Sequence, residues 1–344
     1  MTRSRIVSVV GLLTVLCVGR TASQTTKPLD IRFIDVEGGQ ATLVVSPSGE
    51  SMLVDAGWPG FNGRDAERIV AAAKAAGLSR IDYLVVTHYH TDHVGGVPQL
   101  ADRLPIRTFV DHGATVEQGD APTKLYDAYV QARSKGRHLQ VKPGDKIPVN
   151  GIDVQVVSAG GDVIATPLAS AGAANPQCAD FKPKNDDPSE NGRSVGVVLT
   201  FGRFRMLDLG DLTWNKEHDL VCPTNRIGTV DVYLTTHHGL DQSGPAVLVH
   251  AVRPRVAIMN NGAKKGGTPP AWTIVRQSPG LEDLWQVHYA VDGGADHNVA
   301  EPFIANTDES TAYGIRISAD RDGSFVVTNE RNGKSKKYEA RRPS

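Results

Sequence analysis

Seven consecutive residues, Thr87-His88-Tyr89-His90-Thr91-Asp92-His93, limit what this chain can become more than any other feature. They follow an apolar run over residues 81–87 that predicts a strand, so the motif opens at a strand end. Extended backbone sends alternate side chains to one side, which lets His88 and His90 face one metal. The chain must then bend, and Asp92 and His93 reach a second metal beside the first, with Gly95-Gly96 as the tight exit. Imidazole and carboxylate suit Zn²⁺, Fe or Mn²⁺, and a bridging hydroxide is the usual nucleophile of two-metal hydrolysis. A polar loop can hold three histidines by chance. Four ligand-type residues within six positions, directly at a strand end, argue against chance.

Two other strand ends carry ligand-type residues. Asp211 follows the strand expected over 204–209; after Gly210 such a carboxylate can bridge two metals or merely close a turn. His237-His238-Gly239 follows the strand expected over 231–235. Neighbours on extended chain point to opposite sides, so only one of the pair should bind metal. Asp55 also ends a strand (52–55) and reads as a carboxylate that orients a metal-bound histidine. Further strands are expected over 31–35, 41–45, 154–158 and 195–201, with helices over 64–76 and 124–135. Residues 160–192, rich in Ala, Gly, Pro, Asn and Asp, read as a long loop. Residues 260–270 hold Gly262, Gly266 and Gly267 but lack the lysine context of a phosphate loop, and read as ordinary surface. Strands first, then mixed strands and helices, imply a layered α/β fold; no Gly-x-Gly-x-x-Gly follows any strand.

Arg3 and Arg5, the apolar run 6–18 and the small residues Thr21, Ala22 and Ser23 predict a signal peptide over 1–23, hence a secreted or periplasmic protein. The run is short for a membrane span, and none is expected after cleavage. Cleavage would remove Arg3, Arg5 and Arg20 and take the formal charge from −1 to −4. That leaves no footprint for sequence-independent nucleic-acid binding, so nucleic acid enters only as a substrate. Arg331, Lys334, Lys336, Lys337, Arg341 and Arg342 form a basic C-terminal tail, expected to be solvated. Cys178 and Cys222 survive cleavage, and export predicts a disulfide between them.

Asp55-Ala56-Gly57, His88-x-His90-x-Asp92-His93-x-Gly95-Gly96, Gly210-Asp211 and His237-His238-Gly239 together resemble the metallo-β-lactamase superfamily. Within it, Phe33-Ile34-Asp35-Val36 leading to Gly39-Gln40, and Asn191-x-x-Ser194-Val195, are similar to the hydrolase domain of the competence protein ComEC and its stand-alone relatives. The resemblance runs over residues 31–249. It implies a four-layer αββα sandwich with metals at one edge of two sheets, in a hydrolase domain over 28–340. It gives His88 and His90 to the first of two divalent metal ions, Zn first and Mn as the alternative. Asp92, His93 and His238 go to the second, with Asp211 bridging and His237 donating to the substrate's developing charge. Asn191 and Ser194 become candidates for the substrate rim; outside the resemblance, His297 in Gly293-Gly294-Ala295-Asp296-His297-Asn298 is a further rim candidate. The lactamase, lactonase and glyoxalase branches carry one more histidine before the bridging aspartate, whereas here no histidine occurs over 139–217. The first site is thus more open to substrate oxygens.

The expected function is a two-metal hydrolase acting on a phosphodiester, with Asp92, Asp211 and His237 at its chemistry. The alternatives are a lactonase or other ester or amide hydrolase of the same fold, and a non-catalytic secreted metal-binding module.

Overall fold

The computed structural model describes residues 27–342; the expected signal peptide at 1–23 lies outside them. The chain first lays down β1 (Leu29–Phe33), β2 (Thr42–Val45), β3 (Ser51–Val54), β4 (Ile81–Val85), β5 (Ile106–Asp111) and β6 (Arg137–Gln140). It then builds a second sheet from β7 (Lys146–Ile147), β8 (Asp153–Ala159), β9 (Asp162–Val163), β10 (Gly196–Phe201), β11 (Phe204–Asp208), β12 (Val232–Leu234), β13 (Val256–Met259), β14 (Asp283–His288) and β15 (Ile304–Asn306). Finally β16 (Ile315–Ala319), β17 (Phe325–Asn329) and β18 (Ser335–Tyr338) return to the first sheet, in the order β18-β17-β16-β1-β2-β3-β4-β5-β6. The second sheet runs β15-β14-β13-β12-β11-β10-β8-β7, with β9 paired to β8.

Period-two alternation decides the layers. Val44, Met52, Val54 and Val85 point between the sheets, where they meet Met206, Val232, Leu234, Val256 and Ile258. Their neighbours Leu43, Leu53 and Leu84 point outward beneath α1 (Arg64–Ala75), α3 (Val97–Ala101) and α4 (Asp120–Arg133). On the far side Leu207, Tyr233, Ala257 and Met259 lie under α5 (Trp214–Val221), α6 (Ala246–Val252) and α7 (Pro269–Arg276). The result is the four-layer α/β sandwich expected.

Several local expectations need correction. The loop over 160–192 contains β9 and two 3₁₀ turns, Pro176–Asp180 and Glu190–Arg193, while the expected Cys178–Cys222 bond is present. The basic tail is not loose. It forms β18, buries Tyr338, and sends Arg341 Nε to Asp231 Oδ1 at 3.2 Å. No helix among the described residues is long and apolar enough to cross a membrane.

Candidate metal centre

Parallel pairing brings the chemistry to one edge. β3 and β4 are parallel, as are β11, β12 and β13, so their C-terminal ends deliver Asp55, the His88 segment, Asp211, His237-His238 and Asn260 to one rim. The two sheets are tied there by Val195 N donating to Thr87 O (2.8 Å) and Gln40 Nε2 donating to Asp208 Oδ2 (2.9 Å). Asp92 and His93 sit on α2 (Thr91–Val94), a single helical turn, which supplies the expected bend.

Asp92, His93, Asp211 and His238 present ligand atoms that all lie within 4.8 Å of one another, and all four residues are buried. His93 Nε2 is 3.2 Å from Asp92 Oδ2, from Asp211 Oδ2 and from His238 Nε2. His88 Nε2 lies 3.1 Å from His90 Nδ1 and 3.9 Å from Asp211 Oδ2. Asp211 thus faces both groups, and its buried Oδ1 has no hydrogen-bond partner among the described residues.

The outer nitrogens show what the inner ones must be. Thr87 Oγ1 donates to Asp55 Oδ2 (2.7 Å), so it accepts from His88 Nδ1 at 3.0 Å. His93 Nδ1 donates to Asp55 Oδ2 at 2.7 Å, and His90 Nε2 faces Glu117 Oε1 at 3.3 Å. Each of these three imidazoles then turns a lone pair inward, toward another lone pair or a carboxylate oxygen. Such an arrangement is repulsive unless a cation sits among the atoms, so the residues fit divalent metal ions.

Charge supports the same fit. Burial works against the Asp92 and Asp211 carboxylates, but His93 and His238 outweigh it and hold both well below the usual carboxylate range. Burial also works against a charge on His93, yet Asp211, Asp92 and Asp55 raise it well above an ordinary histidine. His88, buried beside His93, is pushed well below the ordinary value.

The paired histidines depart from expectation. They are not extended: His237 and His238 both have φ 56°, in the left-handed region, and Asp55 has φ 60°. Non-glycine residues there are strained and gather at functional sites. Both rings consequently face Asp211, with His237 Nε2 3.3 Å from Oδ2 and His238 Nε2 3.4 Å from Oδ1. Ser243 Oγ donates to Leu212 O (2.7 Å) and so accepts from His237 Nδ1 at 3.3 Å. That leaves a lone pair, not a proton, on His237 Nε2, and burial lowers its pKa to about 4. The expected proton donor is a poor one.

Ser194 is fully buried and accepts from Asp211 N at 3.3 Å, so it holds the Asp211 backbone from behind rather than lining a rim. Asn191 is half-buried, with Oδ1 unpartnered among the described residues. His297 packs edge-on against Trp272 of α7.

Three contributors went unread in the sequence. Glu190, fully buried, accepts from Tyr89 N (3.2 Å), His112 Nε2 (2.9 Å), Thr115 Oγ1 (2.9 Å) and Val116 N (2.7 Å). It braces the backbone between His88 and His90, and makes His112 part of the site's support rather than an isolated histidine. Glu117 orients His90 and accepts from Glu190 N at 3.2 Å. Lys265 reaches Asp92 Oδ2 from the glycine-rich loop, which is not ordinary surface after all. Gly266 and Gly267 directly after the lysine were the available signal.

The sandwich with this edge defines the class: the fold is the metallo-β-lactamase fold, and residues 34–174 match the model of the metallo-beta-lactamase superfamily. Over those residues the chain is similar to that superfamily, whose fold binds divalent metals. It is 31% identical over 100 residues to a hydroxyacylglutathione hydrolase of Rhodopseudomonas palustris (strain HaA2), covering 29% of this chain and 32% of that protein. The match thus spans about a third of that relative's length. It is 27% identical over 226 residues to a "UPF0173 metal-dependent hydrolase" of Anaeromyxobacter sp. (strain K), covering 64% of this chain and 71% of that one. Among solved structures it is similar to the metallo-beta-lactamase fold protein YhfI from Bacillus subtilis, with TM-score 0.48 and 10% identity, over 83% of this chain and 99% of that one.

Proposed function

We propose that the chain is a metal-dependent hydrolase that uses two divalent ions to cleave a phosphodiester. The observation that carries the metal dependence is the set of inward-facing lone pairs of His88, His90 and His93 beside Asp211, whose Oδ1 has no hydrogen-bond partner among the described residues. His88, His90 and Asp211 would hold one ion, and Asp92, His93, His238 and Asp211 the other, Zn or Mn. Bound there, divalent ions supply Lewis acidity and make water a nucleophile at neutral pH. The chain's own part is to fix the geometry. Asp55 sets His93 and, through Thr87, His88; Glu117 sets His90; Ser194 holds the Asp211 backbone.

Phosphodiesters are favoured because no third imidazole is available over 139–217, which leaves positions for phosphoryl oxygens. A cavity of about 620 Å³, lined by His90, Tyr89, Pro59, Pro98 and Leu125, gives a substituent room beside the first site. Export, expected from residues 1–23, agrees with the Cys178–Cys222 disulfide. The hydroxyacylglutathione hydrolase likeness favours a second reading, a thioester or other ester substrate. The test is turnover of bis(p-nitrophenyl) phosphate and single-stranded DNA with Zn²⁺ and with Mn²⁺, beside a thioester, a lactone and a β-lactam. Turnover of the diester that is lost in His90→Ala is expected. Turnover of only the thioester, lactone or β-lactam would overturn the phosphodiester reading.

A further inference from the structure

We propose that Lys265 is the residue that selects an anionic substrate, its ammonium binding a charged oxygen of the phosphodiester beside the second metal position. The inference rests on the hydrolase reading for its substrate class. The loop after β13 is docked on the paired histidines: Gly267 N donates to His238 O at 3.0 Å, and a Cβ at Gly266 would run into the His238 carbonyl. Gly262 N donates to Lys265 O at 2.8 Å and closes the turn that carries the side chain. On the other side a Cβ at Gly38 would come within 3.0 Å of the Lys265 Cβ. The lysine stem is therefore held from two sides, and its ammonium lies 4.9 Å from the centroid of the Trp58 ring, a further cationic perch.

Its partner is a proposed metal ligand. Among the described residues, Lys265 is the only lysine or arginine paired with a carboxylate of the Asp92, His93, Asp211, His238 cluster. Without metal, that pairing answers the charge of Asp92. With two divalent ions present, the ions rather than the lysine answer the charge of Asp92. Like charges then disfavour the ammonium's place beside Asp92 unless an anion lies against both. The side chain is about a quarter exposed (29%), so its tip is open to a ligand. His237 cannot fill this role, because its proton is turned toward Ser243. A lysine ammonium donates three hydrogens and needs no particular tautomer.

The experiment uses the full chain loaded with metal, as wild type, Lys265→Met and Lys265→Arg. Inorganic phosphate binding is read by calorimetry, with metal content and thermal midpoint measured on the same samples. The proposal expects Lys265→Met to weaken phosphate about ten-fold or more, as loss of a charge-assisted hydrogen bond does. Lys265→Arg should stay close to wild type, and metal content should not change. For turnover, KM for bis(p-nitrophenyl) phosphate should rise in Lys265→Met, while KM for the neutral p-nitrophenyl acetate should not. Unchanged phosphate binding in Lys265→Met overturns the proposal. So does a weakening accompanied by loss of metal in Lys265→Met, since the lysine would then only be holding Asp92. If wild type binds phosphate through Lys265 yet leaves the diester intact, the phosphodiester reading fails and the anion site stands.

Discussion

The inner nitrogens of His88, His90 and His93 owe their lone pairs to bonds made on the opposite side of each ring, so the outer partners matter as much as the ligands. Glu190 shows how far this support reaches. One buried carboxylate takes four donors, two of them backbone amides, from segments that flank His90. Glu190→Gln keeps the shape but replaces two acceptor lone pairs with hydrogens. It should weaken metal retention at the first site by about ten-fold or more, while the chain stays folded. Metal content after dialysis against graded chelator, beside circular dichroism, checks this; full retention would show that the brace is dispensable. His90→Ala should empty the same site and leave the second ion, read by the same assay.

At the scale of elements, the loop between β9 and β10 is pinned at its middle by the Cys178–Cys222 bond and near its end by Glu190. The bond spans 44 positions, and closing such a loop constrains the unfolded chain. Cys178→Ser with Cys222→Ser should lower stability by about 2–4 kcal/mol in urea titration, and an unchanged midpoint would contradict that. α5 carries a second element-scale test. Glu217 is fully buried, with Gly244 N donating to Oε2 at 2.6 Å, and burial raises its pKa from 4.5 to about 8. The folded chain therefore keeps the proton that the unfolded chain releases. Stability from this group is complete below pH 4.5 and is lost as pH rises to about 8. Glu217→Gln should flatten that fall in a pH series of urea midpoints; an unaltered slope would show that the carboxyl is ionised in the fold.

Legibility in the sequence followed locality. His88, His90, Asp92 and His93 fall within six positions, and β4, β10 and β11 show their period without help. The paired histidines were visible as ligands, but not their left-handed backbone, because two consecutive non-glycine residues there run against intrinsic preference and are held by tertiary contacts. Glu117, Glu190 and Lys265 lie 27, 100 and 175 positions beyond His90 in the numbering and meet the site only through topology. β18 was hidden by its lysines: Ser335–Tyr338 is an edge strand in which Lys336 and Lys337 are adjacent and Tyr338 is the one apolar residue, and charged edges of this kind protect a sheet from pairing onward.

At the scale of the whole molecule, the two sheets are needed together. Asp55 and the His88 to His93 segment come from the first, and Asp211, His237 and His238 from the second, so no half of the sandwich holds a complete centre. Asp211 is where the halves meet, and everything proposed about function depends on its facing two ions. The most direct measurement is metal content per chain by elemental analysis, for wild type and Asp211→Ala purified side by side. The expected result is about two divalent ions in wild type and loosening of both in the variant. A wild type that retains no divalent metal, or an Asp211→Ala chain as fully loaded as wild type, would contradict it.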